Sequence, residues 1–313
     1  MKKQALGRSG LEIAPLVFGG NVFGWTADEA TSFDLLDRFT GRGFNAIDTA
    51  DVYSAWAPGL SGGESETVMG KWLARRGRRD DLVIMTKVGS LEGRKGLSAS
   101  NIAAAVEDSL RRLQTDYLDV YFAHIDDDTV PLEETIEAFS RLVDAGKVRT
   151  MGASNYNAGR LREALGISQD KGLSRYEVIQ PGYNLYDRAS YESELAGVVR
   201  EEGLGVVAYF ALAAGFLTGK YNSKADLEGA ARAGMLEGYF DERGMRLLDA
   251  LRKVAGDLDA TPAQVALAWL MSRPNVVPIA SATSLQQLDD ILGAAELDLP
   301  KDALDTLDQA SAK

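Results

Sequence analysis

Strand-length apolar runs recur eight times along this chain, and segments with helical periodicity separate them. The runs are LVFGG (16–20), FNAIDTA (44–50), LVIMTKVG (82–89), YLDVYFAHI (117–125), VRTMGASN (148–155), YEVIQPGYN (176–184), LGVVAYF (204–210) and VVPIASA (276–282). In NIAAAVEDSLRRLQ, Ile102, Val106, Leu110 and Leu113 fall at three- and four-residue steps, which puts one apolar stripe on a helix. TPAQVALAWLM opens with Thr261 as N-cap, Pro262 at the first helical position and Gln264 three residues on, the pattern of a capping box. Strands that alternate with helices pair in parallel through crossover connections. Eight of them without a break in composition predict a closed (β/α)8 barrel, with residues 1–313 as a single α/β domain. The competing doubly wound sheet lacks its phosphate-binding turn, because the first run continues as GGNVFGW rather than G-x-G-x-x-G. Before that run, QALGRSGLEIA reads as a β-hairpin around Arg8–Ser9–Gly10 that could cover the barrel bottom. Residues 219–241, with Gly229, Gly234 and Gly238, read as a long loop insertion after the seventh strand, the kind of segment that often serves as a lid.

Composition narrows the chemistry. The chain has no cysteine and one histidine, so disulfides and nitrogen- or sulfur-rich zinc sites are excluded. Carboxylates leave an oxygen-only magnesium or calcium site open on composition, although none is assigned. A net charge of −12 argues against nucleic acid or an anionic membrane as a bulk partner. The N-terminus MKKQALGRSGLEIAP lacks the apolar stretch of a signal peptide, and no run has the length of a membrane span, so the expected setting is cytoplasmic.

In a barrel of this kind, chemistry gathers at the C-terminal ends of the strands. The second run carries Asp48 and Thr49, with Asp51 and Tyr53 following; the third carries Lys87, and the fourth the lone His124. Ser154 and Asn155 end the fifth, Gln180 lies in the sixth and Tyr209 in the seventh. Each has a plainer structural use. Asp48 or, more naturally, Asp51 can cap a turn. Lys87 can snorkel from the rim, Ser154 or Asn155 can cap a helix, and Tyr209 can pack in the core. Taken together they suggest more, because a carboxylate, a phenol, a lysine and an imidazole from three successive strand ends would meet at one mouth. There a buried ammonium favours a phenolate and lowers the tyrosine pKa, while an aspartate keeps the ammonium charged. The tyrosine becomes a general acid, and the imidazole can polarise a carbonyl. No strong nucleophile is evident, so proton donation to a carbonyl oxygen fits best, with hydride coming from a cofactor.

The motifs DTADVY (48–53), GESETVMGKWL (63–73), YFAHIDDDTVPLEET (121–135), GKVRTMGASN (146–155), QPGYNLYDR (180–188), GFLTGKY (215–221) and PIASATSLQQLDD (278–290), with the MTK that ends at Lys87, resemble the aldo-keto reductase family nearly end to end. The long SAWAPGLSGGESE connection resembles its bacterial, potassium-channel-β-like branch. The resemblance implies the same barrel and a tetrad of Asp48, Tyr53, Lys87 and His124. In it Tyr53 is the proton donor, Lys87 tunes it, Asp48 pairs with Lys87, and His124 orients the carbonyl. It also implies an NADPH or NADH site. Ser154, Asn155 and Gln180 would hold the carboxamide, and Tyr209 would stack on the ring. Gly20, Asn21, Phe210, Ala211, Leu212, Gly215, Leu217 and Lys220 would line the cofactor's path, with Ser281, Thr283, Gln287 and Asp290 at the adenosine end.

The chain departs from the family pattern at several positions. Phe210 and Ala211 stand where Ser-Pro or Thr-Pro is frequent, Ile125 where an arginine often follows the histidine, and Ile291 where many relatives have an asparagine. Ser284 replaces the usual cation for the adenosine 2′-phosphate, which weakens an NADPH preference unless another cation such as Arg232 substitutes. Ser284 and Gln287 also fit a Ser-x-x-Gln capping box. Phe23, Trp25, Trp56 and Ile125 are expected to wall the pocket for a small carbonyl or alcohol substrate. Two other classes compete with the reductase: a Schiff-base lyase using Lys87, and a nicotinamide-binding regulatory protein with little turnover.

Overall fold

In a computed structural model, which describes residues 1–229 and 233–312, the eight apolar runs close into one parallel barrel. A short antiparallel hairpin, β1 (Gln4–Ala5) and β2 (Glu12–Ile13), precedes it. The barrel strands are β3 (Val17–Gly19), β4 (Ala46–Asp48), β5 (Val83–Val88), β6 (Leu118–Ala123), β7 (Val148–Ser154), β8 (Tyr176–Gln180), β9 (Gly205–Ala208) and β10 (Val276–Ala280). They pair in sequence order, and β10 closes against β3. The helices are α1 (Glu29–Gly41), α2 (Glu64–Arg76), α3 (Ala99–Leu113), α4 (Leu132–Asp144), α5 (Ala158–Lys171) and α6 (Ala196–Glu202), followed by α7 (Ala233–Leu236), α8 (Glu242–Asp257), α9 (Pro262–Met271), α10 (Leu285–Gly293) and α11 (Lys301–Ser311).

Alternation along each strand divides the apolar residues into two cores. Val17, Ala46, Val83, Met85, Val120, Phe122, Val178, Val207 and Val277 fill the barrel, and Leu6, Leu11 and Ile13 of the hairpin join them from below. The hairpin therefore plugs the N-terminal end, as its position before the first strand suggests. Gly7 lets it come close: a Cβ there would lie 2.1 Å from the Gly205 amide nitrogen. A second, larger core lies between the strands and the helices, with Trp72 and Trp269 fully buried in it. The stripe expected on α3 is buried as read, and Thr261 and Gln264 form the full capping box of α9. Close packing of α2 on α3 depends on Gly70, where a Cβ would lie 2.0 Å from the Arg112 carbonyl oxygen.

The insertion over 219–241 departs from the expectation of a plain loop. It carries short helical turns at 224–227 and 237–239 together with α7. Its far end is pinned down: Tyr239 stacks on Phe216 at 5.3 Å and donates to Asp187 at 2.6 Å. Arg232 lies outside the described residues. Among the described residues, no helix is long and apolar enough to cross a membrane.

Candidate active site

The tetrad assembles at the C-terminal mouth. Asp48 ends β4, and a run of tight turns then swings Tyr53 back over the strand ends. Within this run Ser54 adopts φ 78°, held by its hydroxyl on the Phe23 carbonyl at 3.0 Å. Lys87 of β5 is fully buried, and its three ammonium donors all have partners at 2.7 Å: Asp48 Oδ2, the Thr49 carbonyl and the Tyr53 hydroxyl. This set suits a charged ammonium and leaves no lone pair on the nitrogen. The Tyr53 hydroxyl donates to Asp48 Oδ2 over a longer 3.2 Å, a weaker bond than those of Lys87.

The sequence expectation that Lys87 lowers the Tyr53 pKa needs correction. Burial first, and the Asp48 carboxylate second, push the phenol well above its ordinary value. Tyr53 is therefore protonated at rest. Burial also draws the Lys87 pKa down, opposed chiefly by Asp48. His124 follows β6, its ring centroid 6.2 Å from that of Tyr53. Burial, helped by the Lys87 charge, lowers its pKa to about 3, so the imidazole is neutral across the physiological range. His124 Nδ1 is buried with no hydrogen-bond partner.

Ser154, Asn155, Gln180 and Tyr209 form one hydrogen-bonded chain beside the tetrad. Gln180 Nε2 donates to Asp48 Oδ1 at 2.8 Å, and the Ser154 hydroxyl donates to the Gln180 carbonyl at 2.8 Å. Asn155 adopts φ 60°, which an asparagine tolerates, and its amide donates to the His124 carbonyl at 2.8 Å. The Tyr209 hydroxyl then donates to Asn155 Oδ1 at 2.8 Å. Neither Ser154 nor Asn155 caps α5, since Asn157 does so. A cleft of about 530 Å³ opens against Asn155, Gln180, Tyr209 and Phe210 and reaches Tyr239 of the insertion. Amides, hydroxyls and an aromatic face beside this cleft suit a nicotinamide carboxamide and ring.

Further out, the expected cofactor residues divide. Phe210 is exposed and has φ 54°, Gly215 has φ 106°, and Lys220 is exposed beside Tyr221. Leu212 is half-buried in the same loop. Ala211 and Leu217, however, are buried in the outer core, so their side chains cannot line a cofactor path and only their backbones remain as contacts. Gly20 is packed so closely that a Cβ would lie 2.9 Å from the Asp48 carbonyl. Ser281 donates to Asn21 at 2.6 Å, which ties β10 to the segment after β3. At the α10 N-terminus the predicted capping box is only half made. Ser284 accepts from the Gln287 amide, but Gln287 Oε1 accepts from the Thr283 amide instead. Asp290 accepts from Thr261 at 2.8 Å and so clamps α10 to α9.

The substrate wall also changes. Phe23 is fully buried and stacks on Phe18 at 5.3 Å, because the helical turn at 20–22 folds it into the core; it is not a pocket wall. Trp56 is exposed and packs edge-on against Tyr53 at 5.9 Å and Trp25 at 5.6 Å, giving a continuous aromatic side to the mouth. Ile125 is half-buried next to His124. Sequence reading gave Asp51 only a turn role and passed over the buried polar group that it forms with Glu66, Thr86 and Tyr121, with the partly exposed Arg112 beside them. Asp51 does not cap its turn, since neither carboxylate oxygen makes a well-formed hydrogen bond. One signal was available: Glu66 falls on the α2 face that also carries Met69 and Leu73, a charge at a core position.

A closed parallel barrel with an Asp–Tyr–Lys–His constellation at its C-terminal mouth defines an oxidoreductase of the aldo/keto reductase kind. The aldo/keto reductase family model matches residues 15–312, and the chain belongs to that family, which generally uses NAD(P)H. It is similar to a probable voltage-gated potassium channel subunit beta of Arabidopsis thaliana, 35% identical over 95% of this chain and 92% of that protein. It is equally similar to the uncharacterized oxidoreductase YrpG of Bacillus subtilis, 35% identical over 97% of this chain and 94% of the other. Protein tas of Escherichia coli is 33% identical over 97% and 96% of the two chains.

Proposed function

We propose that the chain reduces aldehydes or ketones to alcohols, or catalyses the reverse, with NADPH or NADH, as a single-domain cytoplasmic enzyme of small molecules. The observation that carries this reading is the Lys87 ammonium held at 2.7 Å from both Asp48 and the Tyr53 hydroxyl. The bound cofactor would supply hydride to the carbonyl carbon. Ser154, Asn155, Gln180 and Tyr209 would orient the ring, and the neutral His124 would bind the carbonyl oxygen. Tyr53 would give its proton to that oxygen. Lys87 would stabilise the resulting phenolate, with Asp48 keeping the ammonium charged, until solvent reprotonates Tyr53.

Lys87 is a poor Schiff-base nucleophile, because all three of its donors are engaged and its countercharge is adjacent. The regulatory reading, in keeping with the channel-subunit name of the plant relative, differs in its observable: dinucleotide binding without turnover. With Ser284 in place of a cation, we propose that both dinucleotides bind.

Titration of tryptophan fluorescence with NADPH and NADH, followed by cofactor oxidation with a generic aldehyde, tests the proposal. Tyr53→Phe should bind cofactor as wild type does and lose ~10²–10⁴-fold in turnover, the usual weight of a general acid. Wild-type turnover in that variant would sink the tetrad assignment. Absence of binding by either dinucleotide would sink the function.

A further inference from the structure

Asp51 lies in the turn between β4 and Tyr53, 1% exposed, with its amide donating to the Lys87 carbonyl at 3.3 Å. Its carboxylate oxygens are buried without a well-formed partner; the neighbouring Val52 amide exerts only a weak pull. Four elements press charged or titratable groups toward it: Glu66 from α2, Arg112 from α3, Lys87 from β5 and Tyr121 from β6. Glu66 is fully engaged, accepting from Thr86 at 2.5 Å and from Arg112 Nε at 2.6 Å, so the guanidinium is committed to it rather than to Asp51. The Tyr121 hydroxyl is also buried without a partner. Two carboxyls buried together, with the one guanidinium bonded to Glu66, cannot both ionise cheaply. Burial, then the Glu66 charge, raise the Asp51 carboxyl to about 7, while Arg112 and Lys87 pull it down.

We propose that Asp51 is a positioning residue whose proton sets the charge balance behind Lys87. This rests on the reductase reading of the tetrad. When neutral, Asp51 leaves Lys87 to Asp48 and Tyr53 alone. When ionised, it adds a second buried negative charge that acts on Lys87 besides that of Asp48, and the tyrosine holds its proton more tightly. Proton donation to the substrate oxygen then slows, because a weaker acid transfers its proton less readily.

The test compares the whole wild-type protein with Asp51→Asn, an isosteric, permanently neutral side chain. Wild-type kcat/KM for carbonyl reduction should fall by roughly three- to tenfold from pH 6 to pH 8, through an inflection that Asp51→Asn lacks while keeping the low-pH rate. A wild-type profile flat over that range, or a variant that keeps the inflection, overturns the proposal. Thermal melting gives a readout that needs no turnover. A carboxyl whose folded pKa lies above its unfolded value binds more protons in the folded state, so it costs stability as pH rises from about 4 through about 7. The Tm of Asp51→Asn should therefore gain on wild type between pH 5 and pH 8. Equal Tm differences at the two pH values also overturn the proposal. If no carbonyl is turned over, the function proposed above fails, and the melting comparison still decides whether Asp51 titrates.

Discussion

Strand β6 carries a buried charge near one end of the barrel and leads into a neutral imidazole at the other. At the lower end Asp119 is fully buried, accepting from Arg79 at 2.7 Å, Arg149 at 2.9 Å and the Ile84 amide at 2.9 Å. Arg79 in turn lies 3.8 Å over the Tyr117 ring, beside a groove of about 1020 Å³ far from the tetrad. Every group there has a partner, and the cations reach solvent. At the upper end the buried charge belongs to Lys87, whose ammonium is shared between a carboxylate and a partly open phenol, and His124 keeps an unpartnered nitrogen. Both ends hold a buried ion pair. Only the upper one shares its cation with a phenol, and in the proposed reduction that sharing is what separates a reactive pair from a structural one.

Breaking each pair in turn should show the difference most strongly. Lys87→Met leaves Asp48 buried without its cation, a change that typically costs about 3–5 kcal/mol of stability, and it should lower turnover by ~10²–10⁴-fold. Asp119→Ala should cost about 3 kcal/mol, because Arg149 is half exposed and regains water, while kcat per folded molecule stays unchanged. Denaturant unfolding alongside aldehyde turnover checks both. A fall in kcat for Asp119→Ala would show that the two ends are coupled.

A smaller effect separates Asp51 from His124 as the source of a pH dependence near neutrality. His124 is held at about 3, so it carries no charge change between pH 5 and pH 8. His124→Gln should lower kcat/KM through weaker carbonyl orientation while preserving the inflection assigned to Asp51. Loss of the inflection in this variant would return it to the imidazole.

Much of this was legible in the sequence because it depends on local periodicity. The eight runs became the barrel strands, and each tetrad residue stands at or just past a strand end, where barrel geometry directs it to the mouth. The misreadings came from tertiary packing. Phe23 looked like a rim aromatic until the turn at 20–22 folded it against Phe18. Asp51 looked like a turn cap because its neighbours in sequence allow one. Its actual environment is supplied by Glu66, Arg112 and Tyr121, 15 to 70 positions away. Leu217 and Ala211 sit in a matching loop, yet the outer core takes their side chains.

The smallest effect is expected at the rim, where no charge is involved. Trp56 is 49% exposed and touches Tyr53 and Trp25 edge-on, contacts worth about 0.5–1.5 kcal/mol each. Trp56→Ala should leave Tyr53 protonated and Lys87 paired, since neither depends on the indole. What it removes is an apolar face against which a flat substrate ring could rest. KM for an aromatic aldehyde should rise by up to roughly tenfold, while KM for a short aliphatic aldehyde and kcat for both stay within about twofold. Equal losses on the two substrates would mean that Trp56 braces Tyr53 rather than binding substrate, and the aromatic rim would then belong with the tetrad.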